Sequence, residues 1–471
     1  AEAVSELAER GDERVIPHLI ELVVIDSIAN DWGRFGFPEV MREHSPPRYL
    51  ELPEVAWPGV NDALRSIAEP DFDSDYAWVE WESWYSQQEI EPLDGFDGWK
   101  LRLYRSYLPP VGGLLDAEPR EFDLQEIRWG NCDRSFLAAL NGANFVSGEA
   151  VDASGQGGDS NRDPDAPQRY LADDAHVFGF EVAGQAYAVP RWVLFPHELL
   201  NAVLDGVPVS LTYCTLCNAP ILYDGRVGDG DATGAGAAGD VETITFGSTG
   251  MLLSGNKVMY DEETESLWSQ HRGVAIAGEH AERETVLEAR PVTQTDWAAW
   301  KDAHPDTLAL DVDTGYGWDY RRYEDDLGIF RHYWENEDVV QPGVRRADDR
   351  LPEKAEVYGV TGDDPEAVWV FPVETVRDRG FLAGTVDGRE AVAVTDATDD
   401  VAVYAAPPLP VERADGGPGP ALVDAEGTRW AVTGDALVAE DGSGRRERLV
   451  GRHGLWFAFR SQYDEATVVE G

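Results

Sequence analysis

His176-Val177-Phe178-Gly179, two short β-branched runs, a helical stretch, the pair Asp205-Gly206 and the run 207–213 recur, in that order, as Glu356-Val357-Tyr358-Gly359, a similar stretch, Asp387-Gly388 and the run 391–394. The ends of the two stretches also correspond. Trp297-Ala298-Ala299-Trp300 through Thr307 answers to Leu455-Trp456-Phe457-Ala458-Phe459 through Thr467. Convergent strand-and-turn patterns imitate one such segment easily, but two matches in the same order at similar separation are hard to obtain by chance. The expectation is two related β-rich domains, 125–315 and 345–471, arising by internal duplication.

Outward from these stretches the character of the chain changes. Residues 1–120 read as mainly helical, with Val15, Ile16, Leu19, Ile20 and Val23 at helical spacing after the break Gly11-Asp12, like one unit of a HEAT-type helical hairpin. The Trp- and Tyr-rich segment 76–107 reads as a packing surface. From about residue 125, short apolar runs at 177–182, 186–189, 207–213, 221–223 and 243–246 are punctuated by Gly and Asp, as strands are. Segments 152–168 and 225–240 lack apolar periodicity and read as surface loops. The fold class expected is α+β.

The chain has 471 residues with 89 Asp and Glu against 38 Lys and Arg, a formal charge of −51. In dilute buffer so many like charges repel. At molar ionic strength the Debye length falls to about 3 Å, and carboxylates then hydrate the surface without straining the fold. The composition therefore points to a halophilic protein. A disordered acidic chain is the rival, but 43% hydrophobic residues with 16 Trp, 17 Tyr and 16 Phe supply a core that disorder lacks. The charge argues against nucleic acid and anionic lipid as partners. No apolar run is long enough to span a bilayer, and Ala1-Glu2-Ala3 has neither a basic start nor a following apolar stretch. A protein partner, if there is one, is assigned to the N-terminal helical region.

Chemistry concentrates at Cys214-Thr215-Leu216-Cys217. Where the first repeat has this motif the second has Thr395 to Asp399 without sulfur, so the fold stands without the thiols, and a functional use gains weight over a structural one. A Cys-x-x-Cys turn between strands puts two sulfurs on one side of a loop. Three uses stay open: a metal knuckle, a redox dithiol and a structural pair. For metal, two soft thiolates with His197 and Met259 favour copper, with zinc as the alternative; Met251 and His271 are further candidate donors. Pro196-His197-Glu198 is read as the start of a helix that projects His197 toward the sulfurs. Cys132 stands alone. In 256–270, Asp261 and Thr264 suit a hairpin turn, whereas Ser269 and Gln270 are candidates to line a pocket beside the cysteines. No Ser-His-Asp arrangement, phosphate loop or H-E-x-x-H motif is readable.

Trp129-Gly130, Phe195-Pro196-His197-Glu198, Tyr213-Cys214 with Cys217, Phe246-Gly247-Ser248 with Gly250 and Leu252, and above all the block from Asn256 through Met259, Tyr260, Asp261, Trp268 and Ser269 to Gln270 resemble one family, the domain-of-unknown-function family 3179. The resemblance covers about 120–471 and carries no established activity. It marks His197, Glu198, Cys214, Cys217, Gly247, Ser248, Asn256, Met259, Tyr260, Asp261, Trp268, Ser269 and Gln270 as positions of the family signature, and, because members resemble exported proteins, implies an extracytoplasmic or cell-surface location, a cytoplasmic one remaining open. Glu198, Asn256, Tyr260, Asp261, Trp268, Ser269, Gln270 and His271 are the candidates for a pocket beside the cysteines. The chain departs from the family pattern at Asn218, where Gly is usual. The functional expectations are a soft-metal protein for redox or metal handling, a thiol–disulfide protein, or a surface assembly component without catalysis.

Overall fold

A computed structural model describes residues 6, 9–31, 59–68, 78–130, 139–154, 169–227, 242–316, 320, 333–334, 336, 343–344, 348–414 and 419–470. Cys132 and most of the two segments read as loops lie outside these residues.

Among the described residues the N-terminal region holds the helices α1 (Ile16–Asp31), α2 (Val60–Ala68), α3 (Trp78–Ser86), α4 (Phe96–Tyr107) and α5 (Pro109–Leu114). Ile16, Leu19, Ile20 and Val23 pack with Trp81, Tyr85 and Tyr104. The same cluster continues into Met251, Val258 and Leu267 of the β region, so the helices form a layer laid on a sheet. Charges bury at this seam. Glu21 accepts from Lys100 Nζ at 2.5 Å and from the Tyr104 hydroxyl at 2.8 Å, and Arg128 Nε lies 3.3 Å from Glu82. Burial pushes the Glu82 carboxyl up to about 8 despite Arg128.

Arg128 belongs to β1 (Ile127–Trp129). Next come β2 (His176–Val182), β3 (Gln185–Pro190), α6 (Arg191–His197), β4 (Leu199–Leu204), β5 (Val207–Cys214) and β6 (Ala219–Asp224). Then follow β7 (Phe246–Leu253), β8 (Asn256–Asp261), β9 (Leu267–Ser269) and β10 (Val274–Ala277), which form with β1 the sheet β1-β7-β8-β9-β10 under the helices. The unit closes with β11 (Thr293–Asp296), α7 (Trp297–Ala303) and β12 (Leu308–Leu310). β2 lies between antiparallel β11 and β3, and β12 returns parallel to β3. A further sheet is built on the antiparallel meander β4-β5-β6, flanked by the short strands Leu140–Asn141, parallel to β4, and Ala289–Arg290, antiparallel to β6.

The remainder has β13 (Glu356–Thr361), β14 (Ala367–Pro372), α8 (Val373–Arg379), β15 (Phe381–Val386), β16 (Arg389–Thr395), β17 (Val401–Ala405), β18 (Gly451–Leu455), α9 (Trp456–Gln462) and β19 (Glu465–Val468). β13 lies between antiparallel β18 and β14, β19 runs parallel to β14, and β15-β16-β17 is an antiparallel meander. The meander extends through five further short strands into an eight-stranded sheet. The chain is thus α+β, helical at its start and mostly β thereafter.

Local chemistry explains the matching turns. Asp205 and Gly206 have φ of 49° and 82° between the paired residues Leu204 and Val207; Asp387 and Gly388 have 49° and 73° between Val386 and Arg389. Asp-Gly tolerates the two positive φ values of a two-residue hairpin whose twist suits the strands. Gly179 is required for another reason: a Cβ there would lie 2.3 Å from the Trp300 ring of α7.

One expectation is overturned. Pro196 does not start a helix; α6 starts at Arg191 and ends at His197, with Pro196 inside it. Glu198 takes a left-handed conformation (φ 55°), and its N–H closes the helix onto Leu194 O at 2.7 Å. A proline is tolerated there because the helix is already ending.

Candidate functional site

Strand β5 delivers Cys214 to a tight turn in which Cys217 N donates to Cys214 O at 3.2 Å, and the strand pair resumes at once with Cys214 opposite Ala219. Asn218 holds the turn's left-handed position (φ 47°). Gly would take that conformation freely and Asn is among the few other residues that do so readily, so the departure at Asn218 preserves the turn. Tyr213 Oη donates to Asn218 Oδ1 at 3.3 Å.

Both thiols are free and buried, packed with Val344, Leu455, Phe457 and Ala458. The Cys217 side chain and the backbone N–H groups of Cys217 and Lys257 favour the ionised form of Cys214. Burial pushes the Cys214 thiol up, but the Cys217 bond and the backbone donors outweigh it and hold the group below the usual thiol range. Cys217 goes the other way: burial, the bond to Cys214 and the charge on Cys214 push it well above that range. The two thiols are thus shifted in opposite directions.

The block 256–270 supplies the surroundings. Asn256 Nδ2 donates to Cys217 Sγ at 3.3 Å and to Gln270 Oε1 at 3.4 Å, while its Oδ1 accepts from His271 N at 3.1 Å. Cys217 Sγ lies 3.5 Å from Gly255 O. Gln270 Nε2 donates to Thr212 Oγ1 at 2.9 Å and Ala219 O at 3.0 Å, tying the block to the strands flanking the thiols. His271 is fully buried with neither ring nitrogen hydrogen-bonded, edge-on to Phe459 at 4.5 Å; burial, then Arg452 and Arg272, hold it well below the usual imidazole value, hence neutral.

Glu198 reaches the same neighbourhood. Its carbonyl accepts from Tyr213 N at 2.7 Å, and its carboxylate pairs with Lys257, whose Nζ donates to Ser248 Oγ at 2.8 Å; Ser248 Oγ in turn lies 3.3 Å from Glu198 Oε2.

Other expected site residues are placed elsewhere. His197 Nε2 lies 2.6 Å from the Tyr320 hydroxyl, with its ring 4.9 Å from that of Tyr316, because α6 ends there and turns it to the far segment. Met259 is packed with Phe246 and Trp268. Among the described residues no three His, Cys, Asp or Glu side chains stand together as a metal shell. Asp261 is a turn residue, accepting from Thr264 N at 2.5 Å and from Trp268 Nε1 at 3.0 Å. Ser269 Oγ faces Gln462 at 3.2 Å, and Tyr260 is half-buried against Gly247.

Sequence reasoning assigned no role to Lys257. The available signal was a lysine in the strand Asn256-Lys257-Val258-Met259, an inward position in a chain where bases are scarce.

Among known proteins, residues 160–466 match the family described as "Protein of unknown function (DUF3179)". Neither the curated proteins nor the solved structures provide a match.

Proposed function

We propose, from the premise that this chain belongs to DUF3179, a family of proteins of unknown function, that it is a thiol–disulfide redox protein acting through Cys214 and Cys217. The observation that carries this reading is two free, buried thiols on one tight turn, Cys217 N donating to Cys214 O at 3.2 Å and Asn256 Nδ2 to Cys217 Sγ at 3.3 Å, with the Cys214 thiol held below its usual range and that of Cys217 above it. The Cys214 thiolate attacks one sulfur of a substrate disulfide, forming a mixed disulfide and expelling one substrate thiolate. Cys217 then gives up its proton and attacks Cys214 Sγ, releasing the second substrate thiol. The substrate gains two electrons and the pair becomes a disulfide; the reverse sequence oxidises a dithiol. Because both sulfurs are buried, exchange requires the apolar cover of Leu455 and Phe457 to part.

A second reading, Cu(I) held between the two sulfurs, is favoured by the dry apolar shell and by the N–H groups that stabilise a thiolate. His197 and Met259 take no part in it. Zinc is the weaker alternative, since it calls for four ligands.

Thiol counting together with elemental analysis separates the readings. Protein purified in molar KCl without chelator or reductant should contain little metal and show three thiols after reduction but one after oxidation by a small disulfide. One copper per chain that disappears in Cys214→Ser favours the metal. Metal-free thiols inert to every disulfide sink both.

The two β units are read as products of internal duplication. Support comes from the same order in each: a strand between two antiparallel neighbours, a returning parallel strand, a seven-residue helix and a three-strand meander. The charge supports a halophilic origin, and the family resemblance an exported location, where an oxidising surrounding would rest the pair as a disulfide.

A further inference from the structure

Between the two β units lies a cleft of about 320 Å³, the small end of the range for ligand pockets. One wall carries Asn218, Gln294 and Arg191, and the other Glu356, Asp399 and His453. Most of its charges are engaged. His453 Nε2 lies 3.1 Å from Asp400 Oδ2, which also accepts from Gln294 N at 3.3 Å; His176 Nδ1 lies 3.4 Å from Asp296, and Asn218 Nδ2 lies 3.4 Å from Glu356, which also faces Arg377 at 3.9 Å.

Two charges of opposite sign are left over. Arg191 has no hydrogen bond or ion pair among the described residues; its guanidinium lies over the rings of Phe195 and Trp334, at 5.9 Å from each. Asp399 holds a left-handed turn position (φ 61°) on the opposite wall, exposed, its carboxylate likewise without a partner among the described residues. This is an unusual place for a free arginine, because the chain offers more than two acidic residues for every basic one, 89 against 38. Stacking on aromatic faces leaves the guanidinium edge open, the edge that takes a carboxylate with two parallel hydrogen bonds.

We propose that this cleft binds a small zwitterion of amino-acid size, its carboxylate on Arg191 and its ammonium group on Asp399. Gln294 and Asn218 line the space between with uncharged polar groups. The position beside Asn218 also puts the ligand one residue from Cys217, but the proposal does not rest on what the thiols do.

The test uses the full chain, at the lowest KCl concentration that keeps it folded, with each of the twenty standard L-amino acids as probe in a thermal-shift assay and then in titration calorimetry. At least one should raise the melting temperature and bind. Its methyl ester and its N-acetyl derivative should each bind at least tenfold more weakly, and Arg191→Gln should lose the preference for free acid over ester. Asp399→Asn, at an exposed position, should lose the preference for free amine over the N-acetyl form and decides the matter if Arg191→Gln fails to fold. Cys214→Ser should bind as the wild type does, which separates this site from the thiol reading. The proposal is overturned if no amino acid binds, if binding is indifferent to both substitutions, or if the N-acetyl form binds equally, since that would mark a peptide carboxy-terminus as the ligand.

Discussion

Replacing Asn256 by Ala tests the connection between the thiol pair and the strands around it. Asn256 is 1% exposed; its carbonyl oxygen holds His271 N at 3.1 Å and its amide holds Cys217 Sγ at 3.3 Å. Removal strands the His271 N–H in a buried position at about 1–3 kcal/mol and leaves a small void worth roughly another 1 kcal/mol. The expected loss is about 2–4 kcal/mol, which for a unit of this size lowers the melting temperature by roughly 5–15 °C. Thermal unfolding in molar KCl, followed by near-UV circular dichroism, reads it directly. Asn256→Asp keeps the acceptor for His271 but faces Cys217 with an oxygen that cannot donate. It should therefore keep more of the stability than Ala at low pH, lose it as the carboxyl ionises, and slow alkylation of the pair. An Ala variant that melts within about 1 °C of the wild type would refute the argument that Asn256 ties the site together.

Three further outcomes follow from buried charge. Glu82, pushed up to about 8, binds a proton in the folded chain that the unfolded chain releases near pH 4.3, so stability should fall as pH rises between these values; Glu82→Gln should flatten that slope in pH-dependent melting. His271, held well below the usual value, is neutral when folded, so stability should fall as pH drops below about 6.5, where the unfolded imidazole takes up a proton. His271→Phe should lessen that acid-side slope, and equal slopes would rule out a buried neutral imidazole. With a charge of −51, moving from molar KCl to 0.1 M lengthens screening from about 3 Å to about 10 Å; the melting temperature should fall, and a constant value would contradict the halophilic reading.

What could be read from the sequence was what contiguous residues decide. Asp205-Gly206 and Asp387-Gly388 announce their hairpins because a two-residue turn needs positive φ and little else. Cys-x-x-Cys announces a shared turn for the same reason. His197 could not be placed this way: its partners Tyr316 and Tyr320 lie more than a hundred residues on, and the end of its helix is set by Glu198 in a conformation that its residue type disfavours. Met259 looked like a donor on composition alone, whereas strand alternation puts it into the aromatic core with Phe246 and Trp268. Lys257 escaped for the converse reason: its inward position reads as apolar, and the carboxylate of Glu198, brought over at the end of α6, makes it habitable.

The turn after β5 and the loop after β16 differ in the side chain at their centre. In the second unit the loop after β16 closes on the Asp396 carboxylate, which accepts from Thr398 N at 2.7 Å, Thr398 Oγ1 at 2.5 Å and Asp400 N at 3.3 Å. The turn after β5 holds no carboxylate; the Cys214 thiol stands there, favoured toward ionisation by Cys217 and by the backbone N–H groups of Cys217 and Lys257. The Asp396 carboxyl is nevertheless pushed up from its usual value, by burial first and then by the neighbouring Asp400, whereas the Cys214 thiol is held below its usual range. In the Cys-x-x-Cys turn the neighbouring thiol and the backbone donors favour ionisation of Cys214, while burial and Cys214 raise Cys217. On this argument the opposite shifts of the two thiols, which the proposed exchange uses, originate in the turn, and the Asn256–Gln270 block is tied to it through Asn256 Nδ2 on Cys217 Sγ and Gln270 Nε2 on Ala219 O.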